Sequence, residues 1–235
     1  MQKNILITGV GKRIGLYLAK AFLARGHRVL GTFRTHYPSI DALAELGADL
    51  YQCDFTDQAQ LDELIQTLKL RYQGLDALIH NASLWLSDDD PVGVDGVISQ
   101  MMQVHVYAPY QLNLALAPLL QNRETMTDII HLTDYVAQKG SKKHIAYAAS
   151  KAALENMTLS FAGKLAPQVK VNAIAPALIC FNEDDDEDYR DKARAKSVLA
   201  REGGETEVLQ AIDYLMQSQY VTGSSLALDG GRHLK

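Results

Sequence analysis

Apolar residues along this chain follow two rhythms. Seven short segments, 3–8, 28–33, 49–53, 75–80, 128–133, 169–174 and 225–229, are of strand length and rich in aliphatic residues. Between them lie longer stretches, among them 16–26, 57–72, 94–121 and 205–217, in which apolar residues recur every three or four positions, the spacing of one helix face. Alternation at this interval predicts an α/β fold: a parallel sheet of about seven strands covered by helices on both faces. Pro109 and Pro118 predict a kink and a terminus within 94–121 rather than one straight rod. No internal repeat, low-complexity tract or linker interrupts the pattern, so residues 1–235 read as one domain. The charged segment 181–199 reads either as a lid over a substrate or as a solvated insertion, and the acidic stretch Ser87–Pro91 as a solvated loop.

The first strand runs into Gly9-Val10-Gly11-Lys12-Arg13-Ile14-Gly15 and then a helix. Glycines in that position let the backbone approach a pyrophosphate, and the helix N-terminus offers free N–H groups and a partial positive charge. About twenty residues further on, where an acidic residue would accept ribose hydroxyls, the chain carries Arg34-Thr35. Arg34, with Lys12 and Arg13, suits a 2′-phosphate, which makes NADPH the preferred cofactor; the alternative is that the three are solvated surface cations. Asp54, beside Phe55, is placed either to accept from an adenine amino group or to serve an ordinary turn or cap. Asn81-Ala82-Ser83 follows the fourth strand, at the same sheet edge where ligands of such sheets bind. Trp85, the single tryptophan, lies in the following loop, either as a packing anchor or as a lid for a flat heterocycle.

Tyr147 and Lys151 stand four apart in a stretch whose small and apolar residues suggest a helix, which brings them onto one face. An ammonium at about 4 Å from a phenol, at an effective dielectric of about 20, gains about 4 kcal/mol. That is enough to pull the phenol down by about three pKa units and make it a usable acid near neutral pH.

Composition narrows the class of ligand. A net charge of −5 argues against nucleic acid and anionic membranes as partners, which leaves a small molecule. The chain enters its first strand without a leader-like segment, and a cytoplasmic location is expected. Cys53 and Cys180 are far apart, and no histidine pair has ligand spacing, so no metal is expected.

Taken together, the TGxGxRIG turn, Asp54, Asn81-Ala82, Tyr147-x-x-x-Lys151, Pro176 and the terminal TGxxLxLDGG segment resemble the short-chain dehydrogenase/reductase family over the whole chain. The resemblance implies a Rossmann-type, doubly wound sheet and hydride transfer from a nicotinamide, with Tyr147 donating a proton and Lys151 binding ribose hydroxyls and tuning Tyr147. It extends the cofactor set to Gly9, Gly11, Lys12, Arg13, Ile14, Gly15, Arg34, Thr35, Asp54, Phe55, Asn81, Ala82, Ser83, Thr133, Pro176 and Leu178. Two positions depart from the usual pattern. Asp134 stands where most members place a serine, and His105 where most place an asparagine of a proton relay. A carboxylate accepts from N–H groups and, as an acid, relays a proton to a ring nitrogen; it also partly cancels the effect of Lys151 and keeps Tyr147 protonated.

An aspartate there, with the Lys-Arg turn and Asn-Ala-Ser-x-aromatic, is similar to the pteridine-reductase branch. That likeness implies NADPH-dependent reduction of a 7,8-dihydropterin, with hydride to C6 and a proton to N5 from Tyr147, Asp134 or water. Trp85 would stack the pterin, and Ser83 would contact cofactor or pterin. A homotetramer is implied by the same resemblance. The rival readings are a carbonyl or 3-oxoacyl reductase and a non-catalytic NADP(H) sensor.

Overall fold

The computed structural model describes residues 1–235. Seven parallel strands form one sheet in the order β3-β2-β1-β4-β5-β6-β7. They are β1 (Asn4–Ile7), β2 (Arg28–Phe33), β3 (Asp49–Gln52), β4 (Ala77–His80), β5 (Thr127–Leu132), β6 (Val169–Pro176) and β7 (Ser225–Leu228). Successive side chains on a strand point to opposite faces. Leu6 on β1 therefore enters one apolar layer, with Leu64, Leu112, Leu116 and Phe161, while Ile5 and Ile7 enter the other, with Phe22, Leu43, Val208 and Ile212. A strand buried on both faces has no polar side to show, which is why these segments read as continuous apolar runs.

Helices α1 (Arg13–Ala24), α2 (Pro38–Glu45) and α9 (Glu205–Gln217) cover one face. Helices α3 (Gln58–Arg71), α5 (Ala108–Gln121) and α7 (Ile145–Leu165) cover the other. The shorter α4 (Val94–Met102), α6 (Val136–Lys139) and α8 (Glu187–Arg194) complete the chain order.

Two expectations about 94–121 need correction. The irregularity falls before Pro109, as a π-helical turn at Gln103–Tyr107 between α4 and α5. Pro118 does not end the helix, which continues to Gln121 with Asn122 N–H donating to the Pro118 carbonyl. A proline withholds only its own N–H and crowds the turn before it; the residues after it can still hydrogen-bond back. Segment 181–199, read as a lid or a solvated insertion, carries regular structure. It contains α8, capped by Asp186, whose carboxylate accepts from Tyr189 N–H at 2.7 Å, and Arg190 and Arg194 lie over the Phe181 ring at 5.4 and 5.2 Å.

Candidate active site

The strand order reverses between β1 and β4, and the crevice beyond their carboxyl ends is where such sheets bind ligands. Asn81 closes the floor of that crevice. Its Nδ2 donates to the carbonyls of Thr8 and Gly9, both at 2.9 Å, and Thr8 Oγ1 accepts from the Asn81 and Ala82 amides at 3.0 Å. The glycines are required by space as well as conformation. A Cβ on Gly15 would sit 2.1 Å from the Gly9 carbonyl oxygen, and Gly9 itself has φ +75° with Ala82 Cα 2.9 Å from its would-be Cβ. Helix α1 starts here with no side-chain cap and no acidic residue in its first turn, so its N–H groups are open to an anion. Ile14 turns inward against the α1 layer.

Lys12, Arg34 and Thr35 are exposed at the β1–β2 side of the crevice, with Lys12 Nζ over the Tyr37 ring at 4.5 Å. Arg13 does not join them. With φ +52° at the start of α1, it sends its guanidinium to Cys180, Nη2 donating to the carbonyl at 3.0 Å, and its charge reaches Tyr147. The third cation of the sequence reading therefore stands at the Tyr147 end of the crevice. Asp54 makes the turn that competed with its ligand role, Oδ1 accepting from Thr56 N–H and Oγ1–H at 2.9 and 2.8 Å. Phe55 is buried in the core, which leaves only its main chain to meet a ligand.

On the opposite side, Thr133 and Asp134 leave β5 and are tied to the end of β6. Thr133 N–H donates to Ile174 and Tyr135 N–H to Pro176, at 2.9 and 3.0 Å. Leu178 accepts from Gly203 N–H, holding the segment after β6 against the start of α9. Tyr147 and Lys151 share one face of α7, as their spacing predicts. Tyr147 donates its hydroxyl proton to Asp134 Oδ2 at 2.9 Å, and Val136 N–H donates to Asp134 Oδ1 at 3.0 Å.

The expected lowering of the Tyr147 phenol by Lys151 is reversed. Lys151 Nζ donates to the Leu132 carbonyl at 2.9 Å and stands 5.7 Å from the centre of the Tyr147 ring rather than beside its hydroxyl. Burial, and after it the Asp134 charge, hold the phenol well above the ordinary tyrosine range. Burial also holds Asp134 above the usual carboxylate range and brings Lys151 down to about 8.

The π turn delivers His105 into the wall behind this pair. Its Nε2 accepts from Leu84 N–H at 3.2 Å and lies 2.9 Å from Ser83 Oγ, while Nδ1 is 2.8 Å from Ser150 Oγ. An amide only donates, so Nε2 carries no proton and Nδ1–H donates to Ser150, whose hydroxyl passes on to the Tyr147 carbonyl at 2.8 Å. Burial keeps this imidazole neutral, with its pKa well below the histidine range. It is a strut between the Ser83 loop and α7.

Two neighbours of the site escaped the sequence reading. Arg232 lies over the Tyr135 ring at 4.4 Å and acts on the Asp134 charge. Asp88, within the supposed solvated loop, is hydrogen-bonded to the first amides of α7. No local pattern marks either, because their partners lie far away in sequence.

A parallel sheet with a glycine cradle and an open helix N-terminus at its switch point, facing a Tyr-x-x-x-Lys helix, defines a Rossmann-type dinucleotide-binding protein. A family model described as enoyl-(acyl carrier protein) reductase matches residues 9–233. A dihydromonapterin reductase of Klebsiella pneumoniae is 55% identical over 234 residues, covering 99% of this chain and 98% of that protein. One of Escherichia coli is 52% identical over 236 residues, covering 98% and 97%. The solved structure of FolM alternative dihydrofolate reductase 1 from Brucella canis, complexed with NADP, has a TM-score of 0.88 at 25% identity and covers 99% of this chain and 94% of that one. The chain belongs to the short-chain dehydrogenase/reductase family.

Proposed function

We propose that this chain reduces 7,8-dihydropterins to tetrahydropterins with NADPH, acting on dihydromonapterin and secondarily on dihydrofolate. The observation that carries the reading is the Asp134–Tyr147 hydrogen bond. A ketone needs a hydroxyl donor where Asp134 stands, whereas the N–H edge of a pterin needs an acceptor. NADPH, when bound, supplies the hydride that C6 receives.

Gly9, Gly11 and Gly15 and the N-terminus of α1 cradle the pyrophosphate, and the main chain of Ile14 lines that turn. Lys12 and Arg34, with Thr35, take the 2′-phosphate, Asp54 and the Phe55 main chain the adenine, and Asn81, Ala82, Thr133, Pro176 and Leu178 the nicotinamide half. Lys151 binds the ribose hydroxyls. Asp134 and Tyr147 act as one acid: the Tyr147 proton passes to N5 as Asp134, when protonated, replaces it. Ser83 and Trp85 hold the pterin ring, and segment 181–199 is the lid over its C6 substituent.

We place the enzyme in the cytoplasm as a homotetramer, joined through the exposed Tyr107, Tyr110, Leu114 and Leu159 of the α5 and α7 region. No helix is long and apolar enough to cross a membrane.

The test is NADPH oxidation by the purified protein with dihydromonapterin, dihydrobiopterin, dihydrofolate and a simple ketone. Turnover of the dihydropterins without the ketone is expected; turnover of the ketone alone would refute the reading.

A further inference from the structure

The segment Ser83–Asp88 runs along the first turn of α7, and its side chains alternate. Leu84 and Leu86 enter a small apolar cluster with Val97, Met101, Ala146 and Tyr147, while Trp85 between them stays 64% exposed. Its indole is stacked on His144, ring centres 4.3 Å apart and planes 23° from parallel. His144 Nδ1 is 2.9 Å from the Leu86 carbonyl, which can only accept, so that nitrogen carries the proton.

Asp88 completes the attachment. Its two carboxylate oxygens accept from Ile145 N–H at 3.0 and 2.8 Å, and Oδ1 also accepts from Ala146 N–H at 3.3 Å. In return, Asp88 N–H donates to the Lys143 carbonyl at 3.0 Å. The residue at the local cap position, His144, supplies no side-chain cap. A carboxylate 57 residues away in sequence therefore caps this helix, where its charge also meets the positive end of the helix dipole.

We propose that Asp88 is a positioning residue for the pterin site: by capping α7 from the loop after β4, and together with His144, it fixes Trp85 relative to Tyr147 before substrate arrives. The capped amide of Ile145 is two residues from Tyr147, so the same bonds fix the aromatic wall and the acid in one frame. The proposal rests on the dihydropterin reading of the site. Without the clasp, Trp85 must be ordered during binding, and that cost enters the Michaelis constant for the pterin rather than the chemical step.

The experiment compares Asp88→Ala with Asp88→Asn, since an asparagine caps nearly as well as an aspartate. Trp85 is the only tryptophan, so emission excited at the red edge of its band, beyond the absorption of the 11 tyrosines, reports on this ring alone. In D88A the KM for dihydropterin should rise about fivefold, with kcat falling less and the dissociation constant for NADPH unchanged. Its emission should shift to the red and quench more readily with acrylamide, while D88N stays near the parent in every reading. A D88A protein that loses only thermal stability, with parental emission and KM, would overturn the proposal, because a plain helix cap predicts that result. If D88A is recovered unfolded, His144→Ala is read the same way: it removes the stack and the Leu86 bond, and unchanged emission overturns the clasp. Absence of dihydropterin turnover by the unaltered protein would refute the functional reading alone, and the emission of the variants would still decide the clasp.

Discussion

The Tyr147 phenol donates a hydrogen bond to Asp134 across 2.9 Å, in a pocket where burial disfavours the charge on either group. The two titrate as a unit. The phenol is held well above its ordinary range, so on the proposed reading Tyr147 acts as an acid only through its partner. Exchange of Asp134 for asparagine keeps the shape and removes the acid, and dihydropterin turnover is expected to fall about a hundredfold with little change in NADPH affinity. Unchanged turnover would exclude Asp134 from the chemistry.

The same exchange has a signed effect on stability. The folded-state pKa of Asp134 is raised, so its contribution is fully present below the unfolded-state value and lost as pH rises through the folded-state one. At neutral pH the ionised carboxylate is therefore a burden that asparagine lacks. Asp134→Asn is expected to melt at a higher temperature than the parent at pH 7, with the difference closing toward pH 4. A melting series across that range checks the sign.

Lys151 carries the opposite burden. Burial lowers it from 10.5 to about 8, so the folded protein releases this proton first, and the cost of the buried ammonium is fully present below about 8 and fades between there and about 10.5. Relative to the parent, Lys151→Met is expected to gain stability as pH falls from about 10.5 to about 8 and to gain no more below that. In the parent, the NADPH Michaelis constant is expected to climb as pH passes about 8, because the neutral amine binds ribose hydroxyls less well. A KM flat from pH 7 to 9 would remove Lys151 from cofactor binding.

What the sequence made legible was whatever depends on neighbours along the chain. β2 and α9 have the predicted bounds because each is a short-range apolar pattern closed by a turn. Tyr147 and Lys151 fall together because one helical turn brings them there. The Asp88 cap, the Arg13 contact with Cys180 and the indole–imidazole stack of Trp85 join residues 57, 167 and 59 positions apart, and no local spacing encodes such pairs. The lowering of the Tyr147 phenol by Lys151 is not legible for a related reason, whereas the protonated phenol expected from Asp134 agrees with its raised pKa. The helix fixes how far Lys151 is along the chain, but the Leu132 carbonyl on β5 decides where its ammonium points. Helix α8 was hidden by its charge: Arg190 and Arg194 organise it around Phe181, a tertiary contact that an acidic composition does not announce.

Arg34 tests the cofactor assignment separately from the chemistry. It is exposed at the end of β2, where no carboxylate is present to accept ribose hydroxyls. Arg34→Ala is expected to raise the NADPH Michaelis constant about tenfold, the scale of one charge-assisted phosphate contact, and to leave that for NADH near the parent. Equal losses with both cofactors would place Arg34 away from the 2′-phosphate.

Lys170 and Asp128 form an ion pair at the far end of the sheet, Nζ to Oδ1 2.8 Å, with both side chains almost completely buried. The contact lacks hydrogen-bond alignment; Nζ directs its protons to the carbonyls of Leu215 and Ser218, both at 2.6 Å, at the end of α9. Burial pushes Asp128 up to about 6 even beside this cation. Lys170→Met removes the cation and strands a carboxylate and two carbonyls in the interior, which is expected to cost about 3–5 kcal/mol of stability. Adding Asp128→Asn should recover part of that loss, since a neutral amide is then left instead of a charge. Asp128 lies near the start of β5 and Asp134 just past its other end, about 20 Å away at the rise of an extended strand. The folded fraction of K170M should therefore keep the parental Michaelis constants. A lowered melting temperature with unchanged KM at a temperature where the variant is folded is the expected result. A KM that moved with stability would mean that the packing between α9 and β6 reaches the catalytic end.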